Sequence, residues 1–458
     1  MFVAPIVQSI MECEGSLVSR QRLRLVYPET LALACFELLL VVAGVLFEPG
    51  NLALGLERVV CSPGILITDY VLVGGLGPAL VNAGLVGMIG VILTALCRKR
   101  PSGMEVAGVL TMTGFALFGK NPVNVLPIIA GVHLNAVVRR KPFGCNLGAA
   151  MFGTALAPMV SQAVYGLGWN VFAGTGIGLL TGFLIPSLAP VLSQCHGGLN
   201  LYNVGFTAGF VGSIAFAVKS SFAFRFEPVL FWSTHCSRTL SAFFLLIFTG
   251  AALAGIIVAR GIPRRYSTIL KSPGTLPSDF AKTAGWDAVL LNIGLVGLSG
   301  WAYIHLVGGI FNGPTVGGLL TMAGFAAFGK HPFNIGPVMA GVYLASRLMV
   351  FKTSAPGPLL AALFGTALAP VSGVFGPVAG VVAGFLHVAV VMNVGWLHGG
   401  MNLYNNGFSA GIVATLMYAG WPAIVGLWSG VNSRIASLFQ VDVTNRSTVD
   451  GKPPVDGE

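Results

Sequence analysis

The chain has 458 residues, of which 55% are hydrophobic and 9% charged, whereas about a quarter of an ordinary soluble domain is charged. That composition excludes a soluble multidomain protein and defines an integral membrane protein, since several apolar runs approach or exceed the roughly 20 residues that cross a hydrocarbon core. The formal net charge of +10 does not point to nucleic acid, because the basic residues gather in short clusters beside apolar runs, where they set topology.

Residues 1–28 hold Arg20, Arg22 and Arg24 and read as a cytoplasmic N-terminal segment. The apolar run Leu31–Phe47 follows. A cleaved signal peptide and a lipoprotein box in "LALAC" are the alternatives, but Cys35 stands at the start of the run, so an uncleaved first span is expected. Next come a span over Val71–Leu96, the cluster Arg98–Arg100, and two arms of about sixteen residues, Gly103–Gly119 and Val123–Val138. Sixteen residues make roughly 24 Å of helix, short of a full crossing, and Pro122 stands at the turn. The arms therefore predict a re-entrant hairpin. Spans near Leu147–Tyr165, Val171–Leu192 and Leu201–Val218 complete a first membrane repeat, residues 29–237.

The same order recurs over residues 238–420. "SPGILITDY" from Ser62 answers "SPGTLPSDF" from Ser272, "NAGLVG" from Asn82 answers "NIGLVG" from Asn292, and "FGTALAP" occurs at Phe152 and at Phe364. Such ordered identity marks a duplication. Loop charges give the relative orientation. Glu48–Cys61 holds two glutamates and one arginine, while its counterpart Arg260–Lys271 holds four basic residues and no acid. "RKR" answers the uncharged Gly308–Ile310, although "RRK" at Arg139 answers Arg347 and Lys352. An odd number of crossings, five plus a hairpin, inverts the second half. The fold class expected is all-α integral membrane, two inverted repeats of about five spans each plus a re-entrant hairpin. Residues 421–458 are expected to form an interfacial helix, over Trp421–Phe439, and a disordered polar tail.

Two repeated phrases could carry function. The hairpin tips bring Lys120, Asn124, Lys330 and Asn334 into the membrane, where a lysine costs about 2.5–3.5 kcal/mol unless water or a partner relieves it. A cationic lining for a solute path competes with lysines that snorkel to a surface. The second phrase is "HGGLNLYN" from His196 and "HGGMNLYN" from His398. Its glycines suit a sharp turn, Asn200 and Asn402 suit helix N-caps, and Asn203, Asn405, Tyr202 and Tyr404 stand beside them. A helix starting inside the membrane aims free N–H groups at what lies before it. His196, His398 and the intramembrane Glu37 are candidates for a proton or polar relay; the bland alternative is that all these groups only pack helices.

The seven scattered cysteines give no disulfide framework and no zinc site. No phosphate loop, HExxH or nucleophile elbow is present, so no enzyme activity, metal or cofactor is expected. By "GFxxFGKxPxN", "FGTALAP" and "HGGxNLYNxGF", the chain from about Leu31 to Met417 resembles a bacterial family of multi-pass membrane proteins known only as a domain of unknown function. More loosely, "NLYNVGFTAGFVG" and "FNGPTVGGLLTMAGF" are similar to repeated phrases of the urea transporter family, a likeness that implies two inverted halves of five helices with re-entrant segments. The expected role is a channel or facilitator for a small polar or anionic solute in the cell (inner) membrane. Its path would run between the halves, with the N-terminus cytoplasmic and homo-oligomers left open. The alternative is a non-transporting scaffold or assembly protein.

Overall fold

The computed structural model describes residues 27–97, 99–222, 229–258 and 262–439. The segment before residue 27 and the polar tail after 439 lie outside the described residues. The first repeat comprises α1 (Pro28–Phe47), α2 (Leu52–Cys61), α3 (Leu76–Leu96), the hairpin arms α4 (Gly103–Phe115) and α5 (Pro122–Val138), the broken span α6 (Phe143–Gly166), α7 (Val171–Cys195) and α8 (Asn203–Ser221). The second comprises α9 (Ser237–Val258), α10 (Ile262–Leu270), α11 (Trp286–Leu306), the arms α12 (Gly313–Phe325) and α13 (Pro332–Leu348), the broken span α14 (Pro356–Phe375), α15 (Pro377–Val394) and α16 (Asn405–Phe439). Among the described residues ten helices are long and apolar enough to cross a membrane, five in each repeat, and the hairpins are additional.

The two repeats meet head to tail. Along α4 and α12, Gly114 lies against Gly317 and Ala107 against Gly324, and just past the end of α4 Leu117 lies against Gly313, so residue numbers rise on one helix as they fall on the other. Side chains are excluded at the crossing: a Cβ on Gly114 would stand 2.7 Å from the Gly317 oxygen, and one on Gly317 2.5 Å from the Gly114 oxygen. Helices α8 and α16 cross likewise, with Gly205 on Gly407, Phe216 against Gly399 and Tyr418 against Gly197. Antiparallel partners in both pairs make the duplication an inverted one. It follows that α1 and α9 start from opposite faces. One face carries the loops that hold Lys99, Arg100, Arg139, Arg140, Lys141 and Lys271, and is called the basic face below.

The hairpins are re-entrant. Residues 116–121 at the first tip and 326–331 at the second are all buried, which meets the demand that irregular backbone at membrane depth be covered by protein. Asn82 clamps the first tip, its amide donating to the Ala116 and Lys120 oxygens at 2.6 and 2.8 Å. Asn292 does the same for Ala326 and Lys330, both at 2.7 Å. Each hairpin start is held by the other repeat: Gly313 N donates to Asp69 at 3.2 Å and Gly103 N to Asp279 at 3.1 Å.

Asp69 also accepts from Val71 N at 3.0 Å and Ser233 N at 2.8 Å, in the connection before α3. Burial nevertheless pushes its carboxyl from 3.8 up to about 6, the three N–H donors pulling the other way. With the folded-state value raised, its contribution to stability is complete below about pH 4 and is lost as pH rises through about 6. Thermal midpoints of the purified protein should therefore fall across that window, and Asp69→Asn, which cannot ionise, should remove this component.

The last stretch differs from expectation. Trp421 does not begin a separate interfacial helix; α16 runs unbroken from Asn405 to Phe439 with Pro422 inside it, and its apolar window extends to Leu427. The tryptophans interrupt the hydropathy without interrupting the helix.

Candidate functional site: the seam between the repeats

Both broken spans owe their break to "FGTALAP", where a 3-10 turn replaces the α-helix at Thr154–Leu156 and Gly365–Leu368. Pro158 and Pro370 have no N–H with which to close a helical turn there. Carbonyls so released are taken by the opposite repeat: Leu403 N donates to the Ala155 oxygen and Leu201 N to the Ala367 oxygen, each at 3.0 Å. This fixes the "NLYN" segments against the broken spans.

The phrases before them are turns. Gly197 and Gly198 (φ 55° and 81°) and Gly399 and Gly400 (φ 54° and 75°) all lie in the left-handed region, which a side chain would strain. His196 Nδ1 accepts from Asn200 N at 3.3 Å, while its Nε2 meets Asn203 Oδ1 at 3.0 Å, and the Asn203 amide donates to the Ala189 oxygen at 2.9 Å. His398 meets Asn405 at 2.9 Å, and Asn405 donates to the Val391 oxygen at 3.2 Å. The histidines thus brace separate turns, one in each repeat. Asn200 and Asn402 are not N-caps: each accepts from the N–H two residues on, Tyr202 or Tyr404, at 2.9 Å, and the N-cap position of α8 is Tyr202. An Asx-turn and an N-cap use the same side-chain oxygen, and two residues of register separate them.

The tyrosines carry the central contact. Lys120 Nζ donates to Tyr404 Oη at 2.5 Å and lies over that ring, 4.6 Å from its centroid, and over Phe115 at 5.3 Å. Lys330 Nζ donates to Tyr202 Oη at 2.5 Å and to Thr366 Oγ1 at 2.7 Å, over the rings of Tyr202 at 4.4 Å and Phe325 at 5.2 Å. Each lysine is fully buried, and each finds its tyrosine in the other repeat. Among the described residues no carboxylate pairs with either. Cation–π contact and a charge-assisted hydrogen bond take the place of water.

Asn124 and Asn334 serve the tips instead of a path. Asn124 accepts from Asn121 N at 2.8 Å and donates to the Gly119 oxygen at 3.0 Å and Ser161 Oγ at 2.8 Å; Asn334 accepts from His331 N and donates to the Gly329 oxygen, both at 2.9 Å. Glu37 is buried on α1, where Thr113 on α4 donates to its Oε1 at 2.7 Å and its other oxygen has no partner. The corresponding positions of the second repeat are Ile247 and Ala323.

A cavity of about 620 Å³ lies along the seam. Its inner wall is pseudo-symmetric: Thr111 and Thr321, Phe115 and Phe325, Tyr202 and Tyr404, Gly205 and Gly407. Its outer part is not, being bounded by the exposed Cys145 and Gln194 at the ends of α6 and α7 and by Gly197 and Pro277 in connections, all at the basic face. Asn146, Gly148 and Ala149 flank this mouth and are partly exposed, whereas their counterparts Pro358, Leu360 and Ala361 are buried. Of the residues predicted for a path, Tyr202, Asn203 and Tyr404 line the cavity, while the lysines stand behind its aromatic wall. Sequence reasoning missed Thr111, Thr321, Asn82 and Asn292, although all four fall inside the duplicated phrases.

This architecture defines a multi-pass membrane protein made of two inverted repeats with a chamber at their junction. The chain belongs to a family described as a protein of unknown function (DUF1576), whose model matches twice, over residues 48–221 and 258–421. No curated protein and no solved structure matches the chain, and the likeness to urea transporters finds no support there.

Proposed function

We propose that the protein moves a small solute across a cell membrane, as a channel or facilitator, and that the seam cavity is its binding chamber. The observation that carries this reading is the cavity: a volume in the range of roughly 300–1,000 Å³ typical of ligand sites, running from exposed residues at one face to the pseudo-two-fold axis. A site near the midplane at a repeat interface is where solute-moving bundles built on inverted repeats place their cargo. The excess of lysine and arginine at the mouth face supports placing that face, and the N-terminus with it, on the cytoplasmic side. The role proposed is binding and passage without chemistry.

The scaffold reading has one observation in its favour, the dry glycine-to-glycine crossing of α4 and α12. Cys145 separates the two readings. It is a free thiol at the cavity mouth. In proteoliposomes holding a chain with Cys145 as its one cysteine, a bulky maleimide should abolish solute flux, and Cys145→Ser in that chain should make flux insensitive to the reagent. Flux absent across a broad solute panel before labelling would favour the scaffold.

A further inference from the structure

We infer that the solute is a neutral organic molecule with a flat apolar face and a hydrogen-bonding group, and that Thr111 binds that group; the inference deepens, and rests on, the transport reading. Among the described residues no charged side chain lines the cavity. Its inner wall consists of two aromatic groups. Phe115 packs on Tyr404 with centroids 4.3 Å apart and on Phe364 at 5.1 Å, and Phe325 packs on Tyr202 at 4.6 Å and on Phe152 at 5.5 Å. Rings so arranged offer faces for stacking.

An inorganic anion fits this wall poorly. It would fill a small part of about 620 Å³ and would shed its hydration against aromatic carbon, which is costly without a partner charge. The lysines do not pair with the anion directly, because neither lines the cavity: each Nζ is buried behind the rings that form the wall and donates to a tyrosine hydroxyl.

The polar residues that line the cavity carry hydroxyls and amides, and one of these hydroxyls is unused. Buried threonines in these membrane helices return their hydroxyl to the carbonyl four residues back, as Thr94 does to Gly90 at 2.9 Å and Thr321 to Gly317 at 2.8 Å. Thr111, the counterpart of Thr321, does not: its Oγ1 is buried without any hydrogen-bond partner, and it lines the cavity. An orphan buried hydroxyl costs free energy unless a ligand satisfies it. With one edge at Thr111 and one face on Phe115 or Tyr404, a planar molecule bearing a hydroxyl or carbonyl satisfies both surfaces.

The test follows N-ethylmaleimide labelling of Cys145 in vesicle-embedded full-length chain whose other cysteines are serine, with 2-naphthol, sodium sulfate or sodium nitrate as competitor. We expect 2-naphthol to slow labelling saturably and the salts to leave it unchanged. Thr111→Val should raise the half-effective naphthol concentration about 10-fold, the loss of one hydrogen bond, and Thr111→Ser should restore it. A chain retaining Cys35, exposed on α1, as its one cysteine should show no protection, which separates binding from partition into lipid. Protection by sulfate or nitrate with none by naphthol would overturn the solute class and leave transport standing. Protection by naphthol without flux of any solute would leave the ligand class standing and remove transport. Equal protection in the Thr111→Val chain would overturn the role of Thr111.

Discussion

Changing Tyr404 to phenylalanine should destabilise the protein by about 2–3 kcal/mol, the range for a buried charged donor that loses its acceptor. Among the described residues the Tyr404 hydroxyl is the one hydrogen-bond acceptor that the Lys120 ammonium reaches. Tyr202→Phe should cost less, because Lys330 keeps Thr366 at 2.7 Å. Removing the lysine as well should recover most of the loss: Lys120→Met with Tyr404→Phe takes away donor and acceptor together and replaces them with apolar groups of similar shape. Thermal unfolding of the four chains of this cycle in one detergent reads the coupling directly. Equal stability of Tyr404→Phe and the double variant would mean that the hydroxyl does not hold the ammonium.

A second large effect is expected at the crossing of α4 and α12. Gly114→Val and Gly317→Val would each drive a branched side chain into a facing backbone oxygen that a bare Cβ already approaches to 2.7 or 2.5 Å. Main chain on both sides leaves nothing to give way, so the arms must separate, and with them Asp69 and Asp279 leave the hairpin starts they hold. Neither variant should yield monodisperse protein on size-exclusion chromatography. Gly336→Ala is the control. Gly336 is an exposed glycine within α13 with open space around its missing Cβ, and alanine there should stabilise by about 0.5–1 kcal/mol.

The duplication and its inversion were legible in the sequence, because repeated phrases and loop charges are local signals. The hairpin turns were legible too, from Pro122 and Pro332 between short arms, but arm length alone left a buried lysine and a snorkelling one both open. Partners were less legible. That Lys120 needs a neighbour follows from its burial in an apolar run, but that the neighbour is Tyr404 depends on how two antiparallel helices cross, which periodicity does not encode. Asn82 looked like one more match in an alignment; its amide proved to hold the tip from a different helix. Asn124 and Asn334, expected on a path, are used up by the caps and carbonyls of their own turns. The one-sidedness of the cavity had a trace in the letters, Gly148 against Leu360 within otherwise matched segments, which becomes meaningful only once the mouth is placed.

Reciprocity between the halves bears on how such a molecule could have arisen. An ancestor of half the length, carrying one amine and one phenol that bond across copies and not within one, would have been complete only when a sister chain threaded the bilayer upside down beside it. Fusion made that pairing permanent, and drift could then act on each half alone: an acid at Glu37 where the other copy has Ile247, and a doorway on one side with a wall on the other.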